Sequence, residues 1–340
     1  MSEAPFFIVG TERSGSNLLR LILDAHSRLA VPHPPHLMRD LAPLAERCGD
    51  LSEDRHFRRL VENAVRLVEL HFFPWGIPLD RERIFREARA RSLFGVKAAI
   101  YREYMRLHGK ARWGSKSTHL IHFTEEILRE EPRAQFIHLV RDGRDVAVSA
   151  RDSVFNRFHP HYVSLLWSRE QRLAASLGER LPQSQFMTLR YEDLISDAEG
   201  AVRRVAVFLG EAFEPRMLEY FDGEEARRQA AMSSSWRNCS APVLRDNRGK
   251  YRTRLSTREI WAFERNAFEA LERFGYALEN DRRALAASRK RGIPWHERAG
   301  YFVSDQSRLI AVGLSSLWRD RNAFLMARKK MYLAKLRLIG

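Results

Sequence analysis

The 340-residue chain predicts an α/β fold, a central parallel sheet with flanking helices. Three stretches lead to that prediction. Residues 6–20, 136–149 and 186–210 each pass from a short apolar run, through a charged or glycine-bearing turn, into a helical pattern. Strands that alternate with helices pair in parallel through right-handed crossovers. Such sheets take ligands at the carboxyl ends of their strands.

In chain order, Phe6-Phe7-Ile8-Val9 reads as a buried strand. Gly10 opens a tight turn and Gly15 adds a second flexible point. From Ser16 onward Leu18, Leu19, Ile22 and Leu23 share one helical stripe. A strand, loop and helix in this order turn backbone N–H groups toward an anion, and the helix dipole adds partial positive charge. Arg13 contributes a planar fork suited to tetrahedral oxyanions. Ser14, Ser16 and Asn17 supply short polar side chains. A Walker A loop would end in Gly-Lys-[Ser/Thr]; this one ends in Gly15-Ser16-Asn17, with the basic residue ahead of the glycine.

The three prolines of residues 31–36 (VPHPPH) exclude a helix and predict a rigid extended segment beside the loop. It bears His33 and His36, of the side-chain type suited to proton transfer near neutral pH. Residues from about 38 to 106 read as a helical insertion, broken by a loop at 74–78 (PWGIP). Trp113 is expected to end a short strand, Lys116 to follow a Gly-Ser turn, and a helix to run from about 120 to 130. Residues 136–140 form the clearest strand after the first. It ends in Arg141-Asp142-Gly143-Arg144-Asp145, and the next helix holds Ser149. A strand at 186–189 leads into Arg190-Tyr191-Glu192-Asp193-Leu194 and a helix ending near Gly210. The first loop, Lys116, Arg141 and Tyr191 all follow strands, so they converge on one sheet edge.

Hydrophobic content of 44% and charged content of 30% fit a globular protein with a substantial core. No apolar run reaches 18 residues, so no transmembrane helix is expected. The N-terminus lacks the basic and apolar regions of a signal peptide. The two cysteines, Cys48 and Cys239, make neither a disulfide framework nor a zinc pattern. Together these predict a cytoplasmic setting without a bound metal. The net charge is +15, and residues 281–340 hold 14 Lys/Arg against 4 Asp/Glu. The chain therefore divides into a main unit over 1–280 and a basic, largely helical extension over 281–340. A basic extension predicts an anionic partner; nucleic acid is not expected. Leu314, Leu317, Trp318, Arg319, Arg321, Phe324, Leu325, Met331 and Leu338 trace apolar and basic faces with an imperfect period. Docking on the main unit is the favoured expectation, and peripheral contact with the inner face of an anionic membrane the alternative.

The motifs resemble those of the sulfotransferase family that uses 3′-phosphoadenosine 5′-phosphosulfate (PAPS). Residues 10–20 (GTERSGSNLLR), followed by Asp24-Ala25-His26, look like its 5′-phosphosulfate loop. Residues 141–149 (RDGRDVAVS) are similar to its 3′-phosphate motif. Residues 113–116 and 190–194 match further segments, and 248–252 (RGKYR) resembles a late basic motif. The resemblance spans about residues 5–276. It implies a P-loop-like sulfotransferase architecture in which Arg13 and the amides of Ser14, Gly15, Ser16 and Asn17 hold the phosphosulfate. Arg141 and Ser149 would hold the 3′-phosphate, Tyr191 would contact the adenine, and Arg248 and Gly249 would complete the donor site. Lys116 corresponds to a lysine near the transferred group. Many members take their base from a Lys-Thr-His run. Here the run Lys116-Ser117-Thr118-His119 is one residue longer. Other members use a glutamate shortly after the first helix, where this chain has His33 and His36. The base is thus open among His33, His36 and His119.

By analogy with phosphoryl transfer, sulfuryl transfer needs positioning and charge stabilisation, and no metal. The acceptor is a hydroxyl on a glycan, a lipid, a small alcohol or phenol, or a peptide tyrosine. A P-loop-like nucleotide phosphotransferase is the alternative, weakened by the missing Lys-[Ser/Thr] and the lack of an evident magnesium carboxylate. An anionic-surface binding protein would rest on charge alone.

Overall fold

A computed structural model describes residues 4–151, 158–232, 234–319 and 322–339, the side chains of 46, 234, 235, 312–319, 322–326 and 339 excepted. Five strands, β1 (Phe6–Val9), β2 (Leu29–Ala30), β3 (Arg112–Lys116), β4 (Gln135–Val140) and β5 (Phe186–Arg190), form one parallel sheet in the order β2-β3-β1-β4-β5. Helix α1 (Ser16–Asp24) joins β1 to β2. The insertion holds α2 (Leu37–Ala45), α3 (Asp54–Glu69), α4 (Arg81–Glu87) and α5 (Leu93–Leu107). Next come α6 (Thr124–Glu130) before β4, and α7 (Gly143–Arg151) and α8 (Pro160–Arg180) before β5. After β5 the chain is helical: α9 (Tyr191–Ser196), α10 (Ala198–Leu209), α11 (Glu224–Met232), α12 (Tyr251–Arg254) and α13 (Thr257–Arg273). The extension contributes α14 (Arg282–Arg291), α15 (Trp295–Arg319) and α16 (Asn322–Ile339). The predicted parallel α/β architecture is therefore present.

β1 has β3 on one side and β4 on the other, so the sheet diverges from its first strand. That is where a ligand crevice forms in an open α/β sheet. Both faces of β1 are covered, which is why its four residues are all apolar. Phe7 and Val9 join one core with the insertion helices; Phe6 and Ile8 join another with α1 and α10.

Three departures from the sequence reading appear. The two residues of β2 are too few to show a period and were not expected. Gly114-Ser115, expected to form a turn before Lys116, lie inside β3. Small residues are needed there because the Phe6 ring crosses the strand: a Cβ on Gly114 would stand 2.3 Å from it. The helix expected over 120–130 is a 3₁₀ turn, Thr118–His122, followed by α6.

Lys97 on α5 is buried with its ammonium 4.2–5.5 Å from the ring centres of Tyr101, Trp113, Phe7 and Phe94. Its Nζ has no hydrogen-bond partner. Burial pushes its pKa down to about 7 from 10.5, although the ring faces return part of the lost hydration. Between those values the unfolded chain binds a proton that the folded chain does not, so the native state gains stability as pH rises through that window. Lys97→Met is expected to raise stability by about 1–4 kcal/mol at pH 6. Urea titrations should show the gain shrinking toward pH 10.

The last helix packs on the insertion. On α16, Tyr332, Leu333 and Leu336 pack against the insertion core. Tyr332 donates to Asn63 at 2.9 Å, and Lys329 pairs with Asp40 at 2.7 Å while donating to the Pro35 carbonyl. Met331 and Leu338, assigned to the apolar stripe from sequence, face outward. The side chains of Leu314, Leu317, Trp318, Arg319, Arg321, Phe324 and Leu325 lie outside the described residues.

Candidate active site

The loop after β1 owes its shape to three residues with positive φ: Gly10 (142°), Arg13 (71°) and Gly15 (90°). Gly10 must lack a Cβ because that atom would sit 2.3 Å from the Leu139 carbonyl oxygen on β4. Gly15 is the N-cap of α1 and provides no side-chain cap. The first-turn amides of α1 are thus left for an anion. A Cβ on Gly15 would meet the Tyr191 ring at 2.4 Å, so the tyrosine at the start of α9 lies flat over the loop. The Tyr191 hydroxyl accepts from Asn247 Nδ2 at 2.7 Å.

Two arginines of the β4 turn have opposite fates. Arg144 is buried and neutralised, with Nη1 2.6 Å from Glu264 and Nη2 2.7 Å from Asp142. Arg141, also buried, donates only to the carbonyls of Arg13 (3.2 Å) and Asn247 (3.0 Å), and its guanidinium stands 4.5 Å from the Tyr191 ring centre. Its Nε is buried with no partner. Ser149, two turns into α7, accepts from Arg13 Nε at 3.0 Å. Arg13, Arg141, Ser149 and Tyr191 therefore meet although they come from three separate stretches of the chain.

These residues line one cleft of about 1240 Å³. Gly15, Ser16, Asn17, Lys116, His33 and His36 line it as well. Ser14 and His119 do not line it, nor does Gly249, whose amide instead donates to Asp145 at 2.6 Å. Arg248 is exposed and also stands outside the lining, to which its neighbours Asn247 and Lys250 contribute.

Lys116 ends β3. Burial, then the nearby Arg20 and Arg13, bring its pKa down to about 8 against the opposing pull of Glu12. His36 has φ 59° and leads into α2; its carbonyl accepts from the Asp40 amide at 3.0 Å. Its Nδ1 is 3.2 Å from Ser117 Oγ. Burial, then Arg39, keep His36 neutral well below the usual histidine range. His33 is held more deeply, its ring 4.8 Å from Phe73 and 5.4 Å from Trp236. Trp75 Nε1 donates to its carbonyl at 2.7 Å, and its buried Nδ1 has no partner. Burial, then His71, likewise depress its pKa. His119 has its Nε2 3.6 Å from Glu12 Oε1.

Sequence reasoning missed several lining residues. His71, whose ring centre is 5.3 Å from that of His33, sits in an unremarked loop of the insertion. Asn247 is placed only by the fold. Lys329, Lys330 and Leu333 of α16 form part of the wall, which no motif announces. Among the described residues, no group of His, Cys, Asp or Glu is arranged to hold a metal ion. No helix among them is long and apolar enough to cross a membrane.

A profile of the sulfotransferase family matches residues 5–215. The chain belongs to that family. Among solved structures it is similar to the sulfotransferase domain of the Synechococcus PCC 7002 olefin synthase, at 22% identity and a TM-score of 0.57, over 82% of this chain and 96% of that one. It also resembles the sulfotransferase domain of the curacin biosynthetic pathway, at 17% identity and a TM-score of 0.55, over 82% and 99% of the two chains. These likenesses concern the fold. An uncharacterized protein of Aquifex aeolicus is 26% identical over 240 residues, 68% of this chain; the chain spans 28% of that relative's length.

Proposed function

We propose that the protein transfers a sulfuryl group from PAPS to an acceptor hydroxyl. The observation that supports this best is Arg141, a buried cation that forms no close ion pair among the described residues and whose Nε has no hydrogen-bond partner, set beside the uncapped amides of α1. Two groups of anion-binding residues on one cleft suit a nucleotide bearing both a 3′-phosphate and a 5′-phosphosulfate.

When bound, the donor supplies the sulfuryl group: the acceptor oxygen bonds to sulfur as the bond from sulfur to the phosphate oxygen breaks. The α1 amides, Arg13 and Lys116 hold the negative charge that grows on the leaving phosphate. Arg141 and Ser149 hold the 3′-phosphate, and Tyr191 flanks the base. Asn247, through its bond to the Tyr191 hydroxyl, positions that ring. His36 is the general base. Its Nδ1 is engaged by Ser117, leaving Nε2 to take the acceptor proton, and its neutral state suits that task. The unpaired Cys48 and Cys239 favour a reducing setting, such as the cytoplasm. The direct test follows release of adenosine 3′,5′-bisphosphate from labelled donor across a panel of hydroxyl acceptors. Acceptor-dependent release supports the reading; absence of release with every acceptor class, despite intact folding, counts against it.

A pH profile is a second test. The kcat/KM for the donor is expected to stay level from about pH 6.5 to 7.5, because His36 is already neutral there. It should fall above about 8, where Lys116 loses its proton. In Lys116→Arg that alkaline limb should move up in pH.

A further inference from the structure

We propose that α15 seats the protein on an anionic bilayer and that the acceptor is a hydroxyl-bearing lipid drawn from it. The acceptor part rests on the sulfuryl-transfer reading above; the seating part does not.

Helix α15 is inside out for a helix docked on a soluble domain. It is fastened through polar groups. Asp305 accepts from the amides of Phe158 (2.7 Å) and His159 (3.0 Å), Tyr301 stacks on His159 with ring centres 4.4 Å apart, and Arg308 donates to the Arg151 carbonyl at 3.0 Å. Over residues 295–311 the opposite side carries four bare apolar side chains around the half-buried Gln306: Trp295, Phe302, Val303 and Ile310 are 81%, 54%, 64% and 60% exposed. At 3.6 residues per turn these four fall within roughly a third of the helix circumference, away from 301, 305 and 308. A contiguous bare patch of this kind marks an interaction surface.

Charge selects the occupant. Lys290 and Arg291, just before the helix in sequence, and Arg298 on it are exposed, in a segment with 14 basic residues against 4 acidic. A second copy of the chain would bring the same cations to the interface and repel. An anionic bilayer matches the cations, and Trp and Phe suit its boundary. The cleft meets this surface: Leu309, beside Ile310 on α15, lines the cavity that contains Lys116 and His36. Lys330 and Leu333 of α16 line it too. A lipid could thus lift its hydroxyl head into the cleft and leave its chains in the bilayer. That fits the notion of an entrance with one apolar edge and one basic edge.

The test uses the full chain and the double variant Phe302→Ser/Ile310→Ser, whose substitutions lie on the exposed side and outside the donor site. The parent is expected to pellet with vesicles of phosphatidylcholine and phosphatidylserine, and at least ten-fold less with phosphatidylcholine alone. The variant should pellet at least ten-fold less than the parent with the anionic vesicles, and bind adenosine 3′,5′-bisphosphate unchanged. Equal pelleting of parent and variant, or none by the parent, would overturn the seating. So would a self-association of the parent that the variant abolishes in sedimentation velocity. For the acceptor, donor turnover is compared between anionic vesicles holding a glycosyl diacylglycerol and the same glycoside free in solution. Turnover at least ten-fold faster on the vesicles, lost in the variant, is expected. Equal turnover on both overturns the lipid assignment. Failure to bind adenosine 3′,5′-bisphosphate would instead remove the sulfuryl-transfer reading, while pelleting would still report on α15.

Discussion

Arg141→Ala is expected to weaken adenosine 3′,5′-bisphosphate by about 30-fold or more, the effect of removing a buried, charge-assisted contact worth about 2 kcal/mol or above. Its affinity for adenosine 5′-phosphate, which lacks the 3′ group, should change far less. Arg141→Lys should recover only part of the loss, because an ammonium keeps the charge but not the planar fork. The neighbouring Arg144 provides the contrast. Arg144→Ala leaves the buried Glu264 carboxylate without its counter-charge, although the Glu279 and Asn280 donors remain, so it is expected to cost about 3–5 kcal/mol of stability. Calorimetric titration of the nucleotides, with thermal melts of both variants, separates the two roles. An Arg141→Ala protein that binds the bisphosphate like the parent would remove the 3′-phosphate site from this position.

The second large effect concerns proton removal. His36→Ala is expected to lower kcat by about 10²–10⁴-fold with little change in donor KM. His119→Ala should cost much less, since that ring faces Glu12 and stands outside the cleft lining. His33→Ala should fall between, because His33 lines the cleft but its ring is wedged among Phe72, Phe73 and Trp236. Single-turnover rates with saturating donor measure the step directly. A full rate in His36→Ala would place the base elsewhere.

Much of the anion site was legible because it is local. A strand, a loop with Gly10 and Gly15, and a helix are contiguous, and the steric demands on each glycine act within that unit or against the adjacent strand. The turn after β4 was legible for the same reason, although only the family resemblance, and no local feature of RDGRD, told Arg141 from Arg144. That distinction comes from Glu264, 120 residues further on. The histidines were harder. All three candidates were visible, but their placement depends on the 3₁₀ turn that carries His119 toward Glu12 and on the positive φ of His36. His71 had no local signal, since its relation to His33 arises from packing of the insertion. The extension was hardest to read. Its docking combines a few apolar contacts from α16 with single polar contacts such as Asp305 and Lys329, and the polar contacts leave no periodic trace.

The central claim is that the crevice between β1 and β4 recognises an adenosine nucleotide through its 3′-phosphate. Calorimetric titration of the parent with adenosine 3′,5′-bisphosphate and, separately, with ATP and magnesium tests it most directly. The account predicts tight binding of the bisphosphate and affinity at least about ten-fold weaker for ATP, a difference of about 1.4 kcal/mol or more. Preference for magnesium–ATP, with no heat from the bisphosphate, would contradict it and return the site to a nucleotide phosphotransferase.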